Sequence, residues 1–108
     1  MIELPQLVAA YVAAANDGDA ERVARCFIAD ATVRDEGTTR RGTAAIAAWA
    51  EEATSRYQAT IVPAGLAGTD AGCRLTATVS GNFPGSPATL QFNFVLRPDG
   101  IAALEIGP

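Results

Sequence analysis

Near the start of the chain, apolar side chains recur at Leu4, Leu7, Val8, Tyr11, Val12 and Ala15, the spacing of an amphipathic helix. Pro5 is tolerated in the first turn of such a helix, and Asn16-Asp17-Gly18 ends it. Asp19 is placed to cap a short second helix that buries Val23, Cys26 and Phe27 and stops near Asp30. The period then changes to two. Alternation from Ala31 to Glu36 sets Ala31, Val33 and Asp35 on one face of a strand and Thr32, Arg34 and Glu36 on the other. A turn rich in Gly, Thr and Arg over 37–42 leads to a third helix with Thr43 as its cap. Its apolar stripe is Ile46, Trp49, Ala50 and Ala53, and Glu52 pairs with Arg56 on the wet side.

The remainder reads as strands, Tyr57 to Leu66, Cys73 to Phe83, Ala88 to Arg97 and Ile101 to Ile106, with Pro98-Asp99-Gly100 as a hairpin turn. Helices first and a meander afterwards predict one α+β domain over residues 1–108, its helices packed on one face of a curved antiparallel sheet. Leu7, Val8, Val12, Phe27, Ile46, Trp49, Phe94 and Leu96 are expected to share the core. No Gly-rich turn follows the first strand, which excludes a doubly wound nucleotide fold.

Composition narrows the chemistry. All eight basic residues are arginines, there is no histidine, and the net charge is −4. Ser-His and Cys-His nucleophile pairs, Schiff bases, P-loop lysines and His-liganded zinc are therefore excluded. Acid–base work falls to Asp, Glu, Tyr or Cys. No metal or cofactor is expected, and without a surplus of positive charge neither is nucleic acid. Cys26 and Cys73 have no metal or disulfide spacing and read as small buried apolar side chains. With no basic leader and no apolar run long enough to span a bilayer, no membrane association is expected and the expected location is cytoplasmic.

Two side chains stand out. Asp35 shares a face with Ala31 and Val33, so packing toward the helices would desolvate it, raise its pKa and make it a general base if a ligand-sized cavity lies beside it. The alternative is that it caps backbone N–H groups in Gly37-Thr38-Thr39. Tyr11 lies on the buried stripe of the first helix, where its hydroxyl needs a partner or a wet cavity. Trp49 and Tyr57 belong to the core or to a pocket wall, as do Phe92 and Phe94; Val33, Trp49, Tyr57, Phe92 and Phe94 are the residues expected to line a pocket. Arg40-Arg41 reads as an anion clamp or a solvated pair. Arg74, Thr76, Thr78, Thr89, Gln91 and Asn93 form a sheet face that meets water or a second subunit.

The stretches Tyr11-Val12-Ala13-Ala14-Ala15-Asn16-Asp17-Gly18-Asp19, Ala29-Asp30-Ala31-Thr32-Val33-Arg34-Asp35 and Gly42-Thr43-Ala44-Ala45-Ile46 resemble the ketosteroid isomerase and SnoaL-like branch of the NTF2-like superfamily. The likeness is close to about residue 50 and afterwards rests on element order and on Leu96-Arg97-Pro98-Asp99-Gly100-Ile101. It implies an NTF2-like, or cystatin-like, cone in which a strongly bent antiparallel sheet wraps three N-terminal helices around an apolar pocket. It also implies that Asp35 is the base moving a proton next to a carbonyl, that Tyr11 hydrogen-bonds the enolate, and that the chain forms a homodimer through the outer sheet face. The protonated acid of the isomerases would fall at or beside Phe92 and Asn93, neither of which is an acid, and Ala50 stands after Trp49 where those enzymes keep a tyrosine. The epoxide hydrolases of the superfamily need an Asp-Arg-Asp set, and Arg74 alternates to the wrong face for it. Two functions follow as expectations: a cofactor-free isomerase- or cyclase-like enzyme acting on an apolar small molecule, or a non-catalytic module binding an apolar ligand or a protein partner.

Overall fold

A computed structural model describes residues 3–108. The described residues form α1 (Gln6–Asn16), α2 (Ala20–Arg25), β1 (Phe27–Asp35), β2 (Thr38–Arg41), α3 (Thr43–Tyr57), β3 (Thr60–Thr69), β4 (Gly72–Ser80), β5 (Ala88–Arg97) and β6 (Gly100–Gly107). Asp19 caps α2 as its type and position require, its carboxylate accepting from the Arg22 N–H at 3.1 Å. Helix α3 is entered differently. Gly42 is its cap, at φ 88°, and Thr43 is the first helical residue, because the chain turns into the helix through a backbone conformation that only glycine adopts freely.

The strands form one sheet in the order β2-β1-β6-β5-β4-β3. Every neighbouring pair is antiparallel except β1 and β6, which run parallel, so the sheet is mixed rather than wholly antiparallel. That pairing also explains why α2 stops early. The N–H of Ile101 donates to the Cys26 carbonyl at 2.9 Å, so Phe27 enters the sheet although its spacing from Val23 suits a helix. Residues 38–41, expected as turn, pair with 32–35 across a two-residue loop and make the short edge strand β2. Tyr57 ends α3 instead of opening a strand, and Phe83 lies in the loop after β4. Register shifts in the pairings of β1, β3 and β5 bend the sheet, giving its concave face room for the helices.

The core fills that concavity. Val8, Val33, Ile46, Leu75, Phe94, Ile101 and Leu104 are all less than 2% or about 2% exposed, while Leu7 and Leu96 pack at its margin. No described helix is long and apolar enough to cross a membrane.

Asn16 does more than end a helix. Its amide nitrogen donates to the Ile61 carbonyl at 2.9 Å and its amide oxygen accepts from the Ile61 N–H at 2.7 Å. A side chain thus stands in for a neighbouring strand on the edge of β3, where unpaired backbone groups would otherwise be exposed. Asn16→Ala should lower stability by about 1–3 kcal/mol, since both Ile61 groups lose their partners in a partly buried setting. Asn16→Asp, which cannot donate, should lose a comparable amount; urea denaturation measures both.

Candidate active site

Small side chains on the helices leave part of the sheet's inner face uncovered. Ala15 on α1 with Ala50 and Ala53 on α3 stand over Ile61, Val79, Leu90, Phe92 and Ile106, and between them lies a cavity of about 510 Å³. Ligand pockets fall at roughly 300–1,000 Å³. The wall is mostly apolar, and its polar groups are few: the Tyr11 hydroxyl, and at the mouth Asp35, Glu36, Thr54, Arg56 and Tyr57.

Asp35 closes β1 and is half-buried at this wall. The indole N–H of Trp49, which is 8% exposed, donates to Asp35 Oδ2 at 3.1 Å. Its carboxyl is held above the ordinary value, first because burial penalises the charge and then because Glu36 is adjacent; the bonds from Trp49 and the Glu36 backbone, and the charge of Arg40, act against this. Burial wins because the nearest guanidinium is shared: Arg40 donates to Glu52 at 3.1 Å. Glu52 therefore pairs with Arg40 and not with Arg56, and Arg40 is engaged with its own protein rather than poised as an anion clamp.

Tyr11 reaches the same cavity from α1 and is 3% exposed. Its ring meets Phe27 and Phe94 edge-on, with centroids 6.1 and 5.6 Å away, which fixes its direction. Among the described residues no side chain bonds its hydroxyl and no fully buried side-chain polar atom lacks a partner, so the hydroxyl opens onto the cavity. Burial, with Asp35 and Cys26 nearby, pushes the phenol far above its usual pKa. It stays protonated and is a donor throughout the working pH range.

Trp49, Tyr57 and Phe92 line the cavity with these two residues. Val33 and Phe94 do not: at 0% and 2% exposure they lie behind the wall in the packed core, because the alternation that selects an inner face cannot say which inner positions the helices cover. Alternation puts Glu36 on the face opposite Asp35, yet it lines the mouth, since the positive φ of 53° at this residue breaks the strand period. Thr54 carried a usable signal, four residues beyond Ala50 on the α3 stripe, and so did Leu90, two before Phe92. Phe83 comes from an irregular loop and carried none. Arg74 lies on the outer face, donating to Asn93 at 3.0 Å, so neither joins the cavity. Among the described residues no three metal-ligating side chains come together.

No curated protein matches the chain. Solved structures do. A Sinorhizobium meliloti protein provisionally described as a polyketide cyclase is 35% identical, with 96% of this chain and 95% of that one covered and a TM-score of 0.92. A Catenulispora acidiphila protein with a ketosteroid isomerase-like fold, solved with trimethylamine, is 18% identical over 98% of this chain and 87% of that one, with a TM-score of 0.86. The epoxide hydrolase/cyclase-like enzyme SalBIII, of pyran ring formation in the polyether salinomycin, is 21% identical over 94% and 86%, with a TM-score of 0.69. The family model described as the SnoaL-like domain matches residues 8–101. With the helix-filled concave sheet and its cavity in view, the chain belongs to the SnoaL-like domain family of the NTF2-like superfamily.

Proposed function

We propose that the protein is a cofactor-free enzyme that moves a proton next to a carbonyl of an apolar small molecule, with Asp35 as general base and Tyr11 as oxyanion donor. The observation that carries this reading is convergence: Asp35 from the end of β1 and Tyr11 from the middle of α1 stand on the wall of one apolar cavity. The Asp35 carboxylate takes the proton from the carbon beside the carbonyl, and the resulting enolate oxygen accepts a hydrogen bond from Tyr11. In an isomerisation Asp35 returns the proton to another carbon. In a ring closure the enolate carbon attacks a second carbonyl and Asp35 gives its proton to the new alkoxide. The 35% identity to a protein provisionally described as a polyketide cyclase supports the second course.

A second reading, a binding module for an apolar ligand, has its own observation. Phe92 lines the cavity and Asn93 faces outward on Arg74, so no protonated acid joins Tyr11 at the oxyanion position. One donor in place of two means weak activity on steroid isomerase substrates. We also propose a homodimer through the outer faces of β3, β4 and β5, where Val62 stands 55% exposed among Thr76, Thr78 and Gln91. The two free, buried cysteines suit a reducing compartment, the cytoplasm.

Conjugated ketones, steroid-like enones and poly-β-ketones, screened for turnover and for thermal stabilisation, separate the two readings. Asp35→Asn should cost turnover by about 10²–10⁴-fold, and Tyr11→Phe should cost less. Stabilisation by ligands without turnover rejects the enzyme and retains the binder. Turnover should rise with pH along a limb set by Asp35, above the ordinary carboxylate value, with no second limb from Tyr11. Stability should run the other way. A carboxyl that holds its proton more tightly folded than unfolded destabilises the fold as pH rises from the ordinary aspartate pKa through the raised one. Asp35→Asn should therefore melt at or above the wild-type temperature at pH 7, and the difference should vanish below about pH 3.9, the ordinary aspartate value. Light scattering at micromolar concentration tests the dimer, and a monomer mass rejects it.

A further inference from the structure

The β1–β2 hairpin turns on Glu36 and Gly37, both with positive φ, 53° and 75°. This mirror-image turn matches strand twist and is ordinarily filled by Asn-Gly or Asp-Gly. Glycine in the second place meets that rule. Glutamate in the first does not, since its longer side chain lacks the local bond that favours Asn and Asp there, and the conformation is strained for it. What opposes that strain lies across the cavity mouth, where the Tyr57 hydroxyl donates to Glu36 Oε1 at 2.7 Å. Tyr57 is itself held there, edge-on to Phe83 with centroids 5.8 Å apart and under the Arg56 guanidinium at 5.0 Å. The residue after it, Gln58, has φ 47°. Among the described residues, the two non-glycine positions with positive φ thus flank this one contact.

We propose that Glu36 is a positioning residue of the site, held in a left-handed turn so that its carboxylate ties Tyr57 across the cavity mouth and sets a second negative charge beside Asp35. This rests on the reading of Asp35 as the base. The groups facing Asp35 are Glu36 from the turn, Arg40 from β2, Tyr11 from α1, and Trp49 and Tyr57 from α3, with Glu52 and Arg56 in a small polar recess of about 40 Å³ behind it. Arg40 and Glu52 are paired with each other, Arg56 lies over the Tyr57 ring, and Tyr11 and Tyr57 are neutral at working pH. Glu36 is therefore the neighbour whose charge keeps the base strong, and it does so alongside burial, which no single side chain controls.

The test needs no substrate. Asp35 is titrated by carboxyl-carbon NMR in the full chain, in wild type and in Glu36→Gln, whose amide oxygen still accepts from Tyr57 while the charge is gone. The Asp35 midpoint should fall by about half a pH unit, the effect of one charge several ångströms away in a well-screened setting. An unmoved midpoint overturns the proposal. Strain is read separately in the Tyr57→Phe background, where no hydroxyl bond remains to be lost. There Glu36→Asn should raise the melting temperature, and a lower one would show that the turn stores no strain and Glu36 is an ordinary turn residue. Where turnover is measurable, its acidic limb should move with the titration in Glu36→Gln. Absence of turnover on every substrate would dispose of the base reading while leaving the titration result intact, so the two failures are distinct.

Discussion

The parallel pairing of β1 with β6 is the constraint on which the rest depends. Among the described residues it is the one strand pairing that joins the helix–hairpin half to the four-strand meander, which otherwise meet through contacts such as Asn16 on Ile61. Parallel neighbours cannot be joined by a short loop, so everything from β2 to β5 becomes the crossover, and α3 is forced onto the concave face. Gly100 makes the junction possible. Its φ is 154°, and a Cβ there would stand 3.2 Å from the Cys26 carbonyl and from Ile28, closer than side chains normally come. A glycine at this point lets β6 begin against β1, and Val33 then meets Leu104 at the centre of the core.

From that pairing the cavity follows. A bent sheet needs large side chains to fill its concavity, and the helices present alanine at Ala15, Ala50 and Ala53 where they pass over Phe92 and Ile106. The volume left open forfeits dispersion contacts along its wall. Tyr11 and Trp49 bring polar tips to the same wall: Trp49 spends its N–H on Asp35, while no described side chain bonds the Tyr11 hydroxyl.

Much of this was legible in the residues, and the exceptions share a cause. Helical stripes and strand alternation depend on local geometry, so α1, α3 and the inner rows of β4 and β5 follow from spacing alone. Asp35 could be placed on an inner face for the same reason. Phe27 could not be placed on a strand, because its conformation is decided by Ile101, far away in sequence. Glu36 could not be placed at the mouth, because two consecutive positive φ values turn the side chain away from the face that alternation assigns. Val33 and Phe94 were legible as buried but not as covered. That distinction depends on which helix residues are alanine and where the helix lies, and only the packed structure holds both.

The electrostatics of the site follow from a composition without lysine or histidine. In the role of base proposed for Asp35, a carboxylate must be kept from ionising too readily, and burial or like charge tunes it in that direction. Here both operate, while the counter-charges are arranged to interfere little: Arg40 is occupied by Glu52, Arg56 lies over Tyr57, and Arg74 bonds Asn93 on the opposite face. The Trp49 N–H then has a particular value. It satisfies one carboxylate oxygen without bringing a full positive charge, so it orients Asp35 with far less loss of basicity than an arginine in the same place would cause. The Trp49 N–H on Asp35 and the strongly protonated Tyr11 phenol are both neutral, and the Arg56 guanidinium on the cavity wall lies over the Tyr57 ring at the mouth. In the proposed reaction, negative charge formed on a substrate carbonyl is met at Tyr11 by a neutral hydrogen-bond donor, which favours substrates whose enolates are already stabilised by conjugation or by a second carbonyl.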